Sequence, residues 1–136
     1  MIRYLECTPS ADEFNYLTSS VGWGTRDNSI INEALNNTLY SLCAFDNQKL
    51  VGYGRIIGDK TIFLYIQDLM VIPEYQNKHI GTEIMENLLK QVDNYKKVNP
   101  NIRTYLGASK GKESFYEKFG FVSRPNNDLG AGMILN

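Results

Sequence analysis

Seven residues between an apolar strand and an apolar helix have the composition of an anion site. Gln76-Asn77-Lys78-His79-Ile80-Gly81-Thr82 follows the run Leu69-Met70-Val71-Ile72, which Pro73 ends because proline has no N–H to offer a ladder. From Ile80 onward, Ile80, Ile84, Leu88 and Val92 recur every four positions, with Met85 and Leu89 beside them. That spacing predicts one buried helical face. Thr82 and Glu83 suit a first helical turn. A helix N-terminus presents unpaired N–H groups and the positive end of a dipole. Gly81, ill suited to a helix interior, lets oxygen atoms come close to those amides. The chemistry implied is a cradle for a diphosphate.

Other residues carry chemistry of their own, each with a plainer reading beside it. Asp68 lies in a strand expected over residues 61–71, where Ile62, Leu64 and Ile66 alternate with Phe63, Tyr65 and Gln67. The alternation continues onto Asp68 on the isoleucine face. A carboxylate there is costly unless paired, and a bulge nearby would flip the parity and expose it. His79 is the only histidine and reads as a loop or helix residue. Trp23, the only tryptophan, stands between Gly22 and Gly24, where it could stack on a cation or an aromatic group or belong to the core. Cys7 and Cys43 lack metal-ligand spacing and read as free thiols. A P-loop is excluded because no Gly-Lys-Ser/Thr closes the spacer. A Rossmann fingerprint is excluded because the glycines do not fit and no early βαβ unit exists.

Composition narrows the class. With 136 residues, 43% hydrophobic and 21% charged, the chain is expected to form one globular domain over residues 1–136 with a genuine core. No apolar run is long enough to cross a membrane, and Ile2-Arg3-Tyr4-Leu5-Glu6 has no signal-peptide character, so a cytoplasmic location is the default. A net charge of −1 argues against non-specific nucleic-acid binding. The charge is uneven: residues 1–59 hold four basic and seven acidic side chains, and residues 60–118 nine basic and seven acidic. An anionic ligand on the second half and a cationic one near the first would fit, and so would chance.

The elements that position these residues can be read in order. A strand over 2–7 leads to a helix capped by Ser10 or Thr8, with Glu13 completing a capping box and Phe14, Leu17 and Val21 on its apolar side. Asp27 caps a second helix with Ile30, Ile31, Ala34 and Leu35. Strands follow at 39–45 and 50–57 about the turn Asp46-Asn47-Gln48-Lys49, then the strand at 61–71. Gly52 and Gly54 inside a strand predict a bulge or a close approach by other atoms. The long helix runs to about Lys97, a strand covers 102–107, a short helix reaches Phe119, and Gly120 ends it. Further strands are expected at Phe121-Val122 and Met133-Ile134-Leu135, giving six to seven in all. Three consecutive strands exclude a simple doubly wound fold and predict an α/β (α+β) domain: a mixed, largely antiparallel sheet with helices on both faces.

Two blocks resemble the GNAT N-acetyltransferase superfamily over nearly the whole chain. Gln76-Asn77-Lys78-His79-Ile80-Gly81 is similar to its Gln/Arg-x-x-Gly-x-Gly/Ala pyrophosphate loop, and Phe115-Tyr116-Glu117-Lys118-Phe119-Gly120-Phe121 to its later Phe-Tyr segment. His79 stands where the first motif glycine is usual, which a side chain tolerates if the backbone there is helical. The resemblance implies a GNAT-like sheet and acetyl-CoA as co-substrate. Backbone near Met70 and Val71 would pair with its pantetheine arm, and Gln76, Asn77, Lys78, His79, Ile80, Gly81 and Thr82 would hold its diphosphate. Lys112, Ser109 and Phe115 would add to the cofactor side. It implies that Tyr116, which otherwise packs beside Phe115 and Phe119, protonates the departing thiolate. Asp68 would be either the base for the incoming amine or a carboxylate paired with a backbone amide or a basic side chain, with Gln67 where some relatives carry glutamate. Trp23, Tyr40, Tyr53 and Met133 are the acceptor-side candidates. The expected reaction is direct attack by a small-molecule or protein amine, with no metal and no cysteine nucleophile. A homodimer is the base-rate assembly. A catalytically silent acyl-CoA-binding sensor or partner-binding module on the same fold is the competing reading, favoured by His79 and Gln67.

Overall fold

The computed structural model describes residues 1–136. Its first helix, α1 (Ala11–Ser20), begins with the reciprocal cap that the sequence predicts. Ser10 Oγ accepts the Glu13 N–H at 3.1 Å, and the Glu13 carboxylate accepts the Ser10 N–H at 2.9 Å. Its buried side chains are Ala11, Phe14, Leu17 and Thr18, while Val21 becomes the C-cap instead of extending the apolar face. Helix α2 (Asn28–Asn36) starts at Asp27, whose side chain makes no capping bond. Asn15 braces the connecting loop from outside: its side chain accepts the Arg26 N–H at 3.0 Å and donates to the Arg26 carbonyl at 2.8 Å.

Five strands form one sheet in the order β1 (Ile2–Glu6), β2 (Tyr40–Asp46), β3 (Lys49–Gly58), β4 (Phe63–Val71), β5 (Arg103–Leu106). The pairs β1–β2, β2–β3 and β3–β4 are antiparallel. The expected count of six to seven is therefore corrected to five. Phe121 sends its N–H back to the Tyr116 carbonyl at 3.4 Å, closing a helix end instead of a ladder. Met133, Ile134 and Leu135 are 94%, 85% and 99% exposed and join no strand. A strand exists only through its ladder partner, so apolar character alone does not make one.

The turn from β3 to β4 is fixed by one carboxylate. Asp59 Oδ1 accepts the N–H groups of Thr61, Ile62 and Phe63 at 2.9, 2.8 and 2.9 Å. These bonds, the one from Thr61 foremost, lower the Asp59 pKa from 3.8 to about 2.

Helix α3 (Ile80–Val98) buries Ile80, Ile84, Met85, Leu88 and Val92, the face read from the sequence. It lies on β3 where that strand has no side chains. A Cβ on Gly54 would stand 2.9 Å from Leu88 Cδ1 and 3.0 Å from Ile84 Cγ2, and one on Gly52 would stand 2.9 Å from Ile84 Cδ1. Tyr53, between them, points to the opposite face and meets Phe14 of α1 edge to face, with centroids 5.7 Å apart. Helices thus cover both faces.

Pairing of β3 with β4 slips once. Arg55 stands opposite Gln67, but Tyr53 stands opposite Met70, so Gly54 faces the extra residue of a bulge. Asp68 sits there with a left-handed φ of +58°.

The chain packs as two compact units, residues 1–105 and 106–136. Within the second, the short helix α4 (Glu113–Glu117) carries an aromatic cluster. Phe115 meets Tyr116 and Phe119 at 5.1 and 5.3 Å between centroids, and Tyr116 meets Phe121 at 6.3 Å.

Two outcomes are expected. Gly54→Ala pushes against two fully buried α3 side chains, and urea denaturation should show a loss of about 1–3 kcal/mol. Asp59 has a depressed folded-state pKa, so its stabilising contribution is present above 3.8 and fades as pH falls toward about 2. Melting curves across that window should show a drop in Tm that is smaller in Asp59→Asn.

Candidate active site

The loop between β4 and α3 is held from below. A single 3-10 turn, Pro73–Tyr75, places the Tyr75 hydroxyl so that it donates to the Asp46 carboxylate at the β2–β3 turn. That hydrogen bond raises the phenol's pKa, with burial and the carboxylate's charge acting in the same direction. Lys78 stands over the Tyr75 ring at 5.3 Å and Lys49 at 5.8 Å, with Lys49 also 3.9 Å from Glu74. Lys78 is thus kept beside the loop by a ring face.

Beyond this platform the backbone turns into α3 through two left-handed residues, Asn77 at φ +63° and His79 at φ +64°. His79 is the N-cap, and its carbonyl accepts the Glu83 N–H at 3.1 Å. No side chain caps the helix, so the amides of Ile80, Gly81 and Thr82 are available at the positive end of a 19-residue dipole. The condition under which a side chain is tolerated here, a helical backbone, is not met: His79 at φ +64° has the left-handed conformation that glycine favours. That explains why a glycine is usual at this point of the motif.

Beside the loop, β4 has an open edge. The Ile72 N–H donates to Val51 of β3 at 3.0 Å. By strand alternation the Val71 carbonyl and N–H then face away from β3. Strand β5 has four residues against nine in β4, and the Arg103 N–H joins the Ile62 carbonyl at 2.8 Å, so β5 ends well short of Met70 and Val71. The Val71 carbonyl instead accepts the Gln76 side-chain amide at 2.9 Å, which links the edge to the loop. Met70 itself is buried, so its side chain is core and only its backbone is near the edge.

Asp68 is paired. Its Oδ2 accepts the Arg55 Nε–H at 2.6 Å, with the two side chains only 15% and 19% exposed. Of the partners open in the sequence, a backbone amide or a basic side chain, the structure supplies the second. Arg55 also donates through Nη1 to Thr38 Oγ1 at 2.9 Å and to the Ala34 carbonyl at 3.3 Å. Sequence reading passed over Arg55. The signal was there: one arginine in an otherwise apolar strand, followed by one carboxylate in the next, means paired buried charge.

The remaining candidates fall in different places. Tyr53 is corrected from pocket lining to core: it is fully buried and shares a 2.5 Å hydrogen bond with Ser41 Oγ. Tyr40 pairs with Ile56, on the face opposite Tyr53, so the two cannot line one pocket. Burial, then the charge of Glu6 and the phenol of Tyr95, raises the Tyr40 pKa. Trp23 is half exposed in the α1–α2 loop, which excludes the core reading. In the second unit Ser109 and Lys112 are exposed and joined by a 2.9 Å backbone bond, while Phe115 and Tyr116 are half-buried. Burial raises the Tyr116 pKa above its ordinary 10.0, which keeps the phenol protonated. Met133 stands exposed near the C-terminus.

Similar proteins bear on this geometry. The model of an acetyltransferase (GNAT) domain matches residues 23–134. An uncharacterised N-acetyltransferase, ycf52-like, of Prochlorococcus marinus is 30% identical over 128 residues, which cover 91% of this chain and 69% of that one. The chloroplastic GCN5-related N-acetyltransferase 1 of Arabidopsis thaliana is 31% identical, covering 90% of this chain and 61% of its own. Among solved structures, a probable acetyltransferase of unknown function from methicillin-resistant Staphylococcus aureus superposes with a TM-score of 0.89 at 28% identity, covering 100% of this chain and 99% of that one. A GNAT family acetyltransferase of Streptococcus pneumoniae gives 0.81 at 26%, covering 100% and 98%. With a domain match over most of its length and relatives that cover nearly all of it, the chain belongs to the GNAT acetyltransferase family and is an acyltransferase.

Proposed function

We propose that the chain transfers an acetyl group from acetyl-CoA to a primary amine, on a small molecule or a protein, by direct attack. The observation that carries this reading is the uncapped N-terminus of α3 joined through Gln76 to the open edge at Val71. Backbone N–H groups of Ile80, Gly81 and Thr82 suit the two phosphates of a diphosphate, with Lys78 adding positive charge nearby. The Val71 backbone suits an extended amide-bearing arm that adds to a sheet edge. Acetyl-CoA, when bound, supplies an acyl group activated as a thioester. Tyr116 is the proposed proton donor to the leaving thiolate, a role carried over from the family motif, and burial leaves its phenol protonated at neutral pH. Asp68 has one oxygen committed to Arg55, so the amine's proton is assigned to water and not directly to this carboxylate. No helix is long and apolar enough to cross a membrane. A cytoplasmic setting is part of the proposal, although one relative is described as chloroplastic.

The first test is calorimetry with acetyl-CoA, CoA and dephospho-CoA, where affinity on the order of micromolar is expected. An absence of binding overturns the reading. Binding without transfer to any amine would point to the sensor. In Tyr116→Phe, turnover should fall about 10²–10⁴-fold with acetyl-CoA affinity unchanged. An acid must be protonated to act, and burial raises this one. The alkaline limb of the parent's rate profile should therefore lie above pH 10.0 and vanish in the variant.

His79 gives a separate expectation. A β-branched residue resists a left-handed backbone, so His79→Val should lose about 1–2 kcal/mol in urea denaturation. His79→Gly should stay near the parent, because relief of that strain is offset by about 0.4–1 kcal/mol of unfolded-state entropy. Equal stability of all three would contradict the left-handed conformation.

A further inference from the structure

We propose that Arg55 is a positioning residue: its guanidinium locks the β4 bulge to the end of α2 and thereby decides which backbone groups of β4 face the open edge. The functional part of the proposal rests on the acetyl-CoA reading above.

Three elements meet at this side chain. Nε holds Asp68 on β4, and Nη1 holds the Ala34 carbonyl in the last turn of α2 and the hydroxyl of Thr38 just beyond it. A cation at a helix C-terminus is favourably placed. Both charged partners are largely removed from water, where an unpaired charge is costly. The arrangement needs the planar fork of arginine, since a lysine ammonium cannot reproduce donors at Nε and Nη1 together.

Strand parity gives the bulge its importance. Asp68 occupies a left-handed conformation that a residue with a side chain keeps only when its surroundings over-determine it. The Arg55 bond supplies that determination. Because side chains and backbone groups alternate with a period of two, the extra residue swaps the roles of every position after it. With the bulge, Tyr53 stands opposite Met70 and the Val71 backbone faces away from β3. Without it, Val71 would turn toward β3, and the edge that is proposed to receive the pantetheine arm would be offered one residue out of step. The same fork ties this edge to α2, so the two cannot shift independently.

Hydrogen exchange of the free protein and calorimetry with acetyl-CoA test the proposal together, on Arg55→Lys, Asp68→Asn and the double variant. The amides to follow are Ile72, bonded to Val51, and Asn37, bonded to Glu33 and Ala34, with Cys7, bonded to Ser41 at the far side of the sheet, as control. Exchange at Ile72 and Asn37 should accelerate about tenfold while Cys7 is unchanged, and the acetyl-CoA Kd should rise about tenfold. The double variant should be little worse than either single one, because both remove the same coupling. Uniform acceleration including Cys7, no change at Ile72, or additive losses would each overturn it. Should Arg55→Lys fail to fold, the near-isosteric Asp68→Asn carries the same readouts. If the parent does not bind acetyl-CoA, the functional reading fails, while exchange still decides whether Arg55 couples β4 to α2.

Discussion

One extra residue in β4 sets the geometry on which the rest depends. A sheet with unbroken pairing between β3 and β4 would present the Val71 backbone to its neighbour, leaving a different residue at the edge. The bulge at Asp68 reverses this, and the buried Arg55–Asp68 pair holds the left-handed backbone the bulge requires. The pair is thus better understood as a device for register than as a source of net stability, since two buried charges barely repay their desolvation. Gly54 opposite the bulge belongs to the same arrangement. It lets the strand bend there and at the same time lets α3 lie against it.

That approach of α3 has its own consequence for the site. A helix drawn onto β3 through Gly52 and Gly54 has its N-terminus fixed beside the end of β4, from which it is separated by only a 3-10 turn and a short loop. The loop has little freedom left. Tyr75 is anchored to Asp46, Gln76 to the Val71 carbonyl, and the chain must turn sharply at Asn77 and His79 to enter the helix. The result is a row of uncapped helix amides next to a strand edge that no neighbouring strand covers. In the proposed function these groups receive the diphosphate and the amide-bearing arm of acetyl-CoA.

Much of this was determined by the sequence by itself. The period-four apolar row from Ile80 to Val92 demanded a helix with one buried face, Ser10 and Glu13 demanded a cap, and Gly52 and Gly54 announced a close approach. These are local rules, in which each residue's preference and its neighbours' spacing suffice. The helix N-terminus after the loop was legible for the same reason, because it follows from a helix beginning where it does.

The tertiary structure alone decided what depends on partners distant in the chain. The partner of Asp68 is Arg55, thirteen residues earlier and adjacent only through the β3–β4 ladder. Tyr40 and Tyr53 fell on opposite faces because the register fixed them there, and Tyr53 joined the core. Met133-Ile134-Leu135 has the composition of a strand but no ladder to join, and strand formation is a property of a pair. His79 was assigned its left-handed backbone by the turn it must complete, not by its own preference. Local chemistry specified the elements; register, burial and long-range pairing specified what each polar group could do.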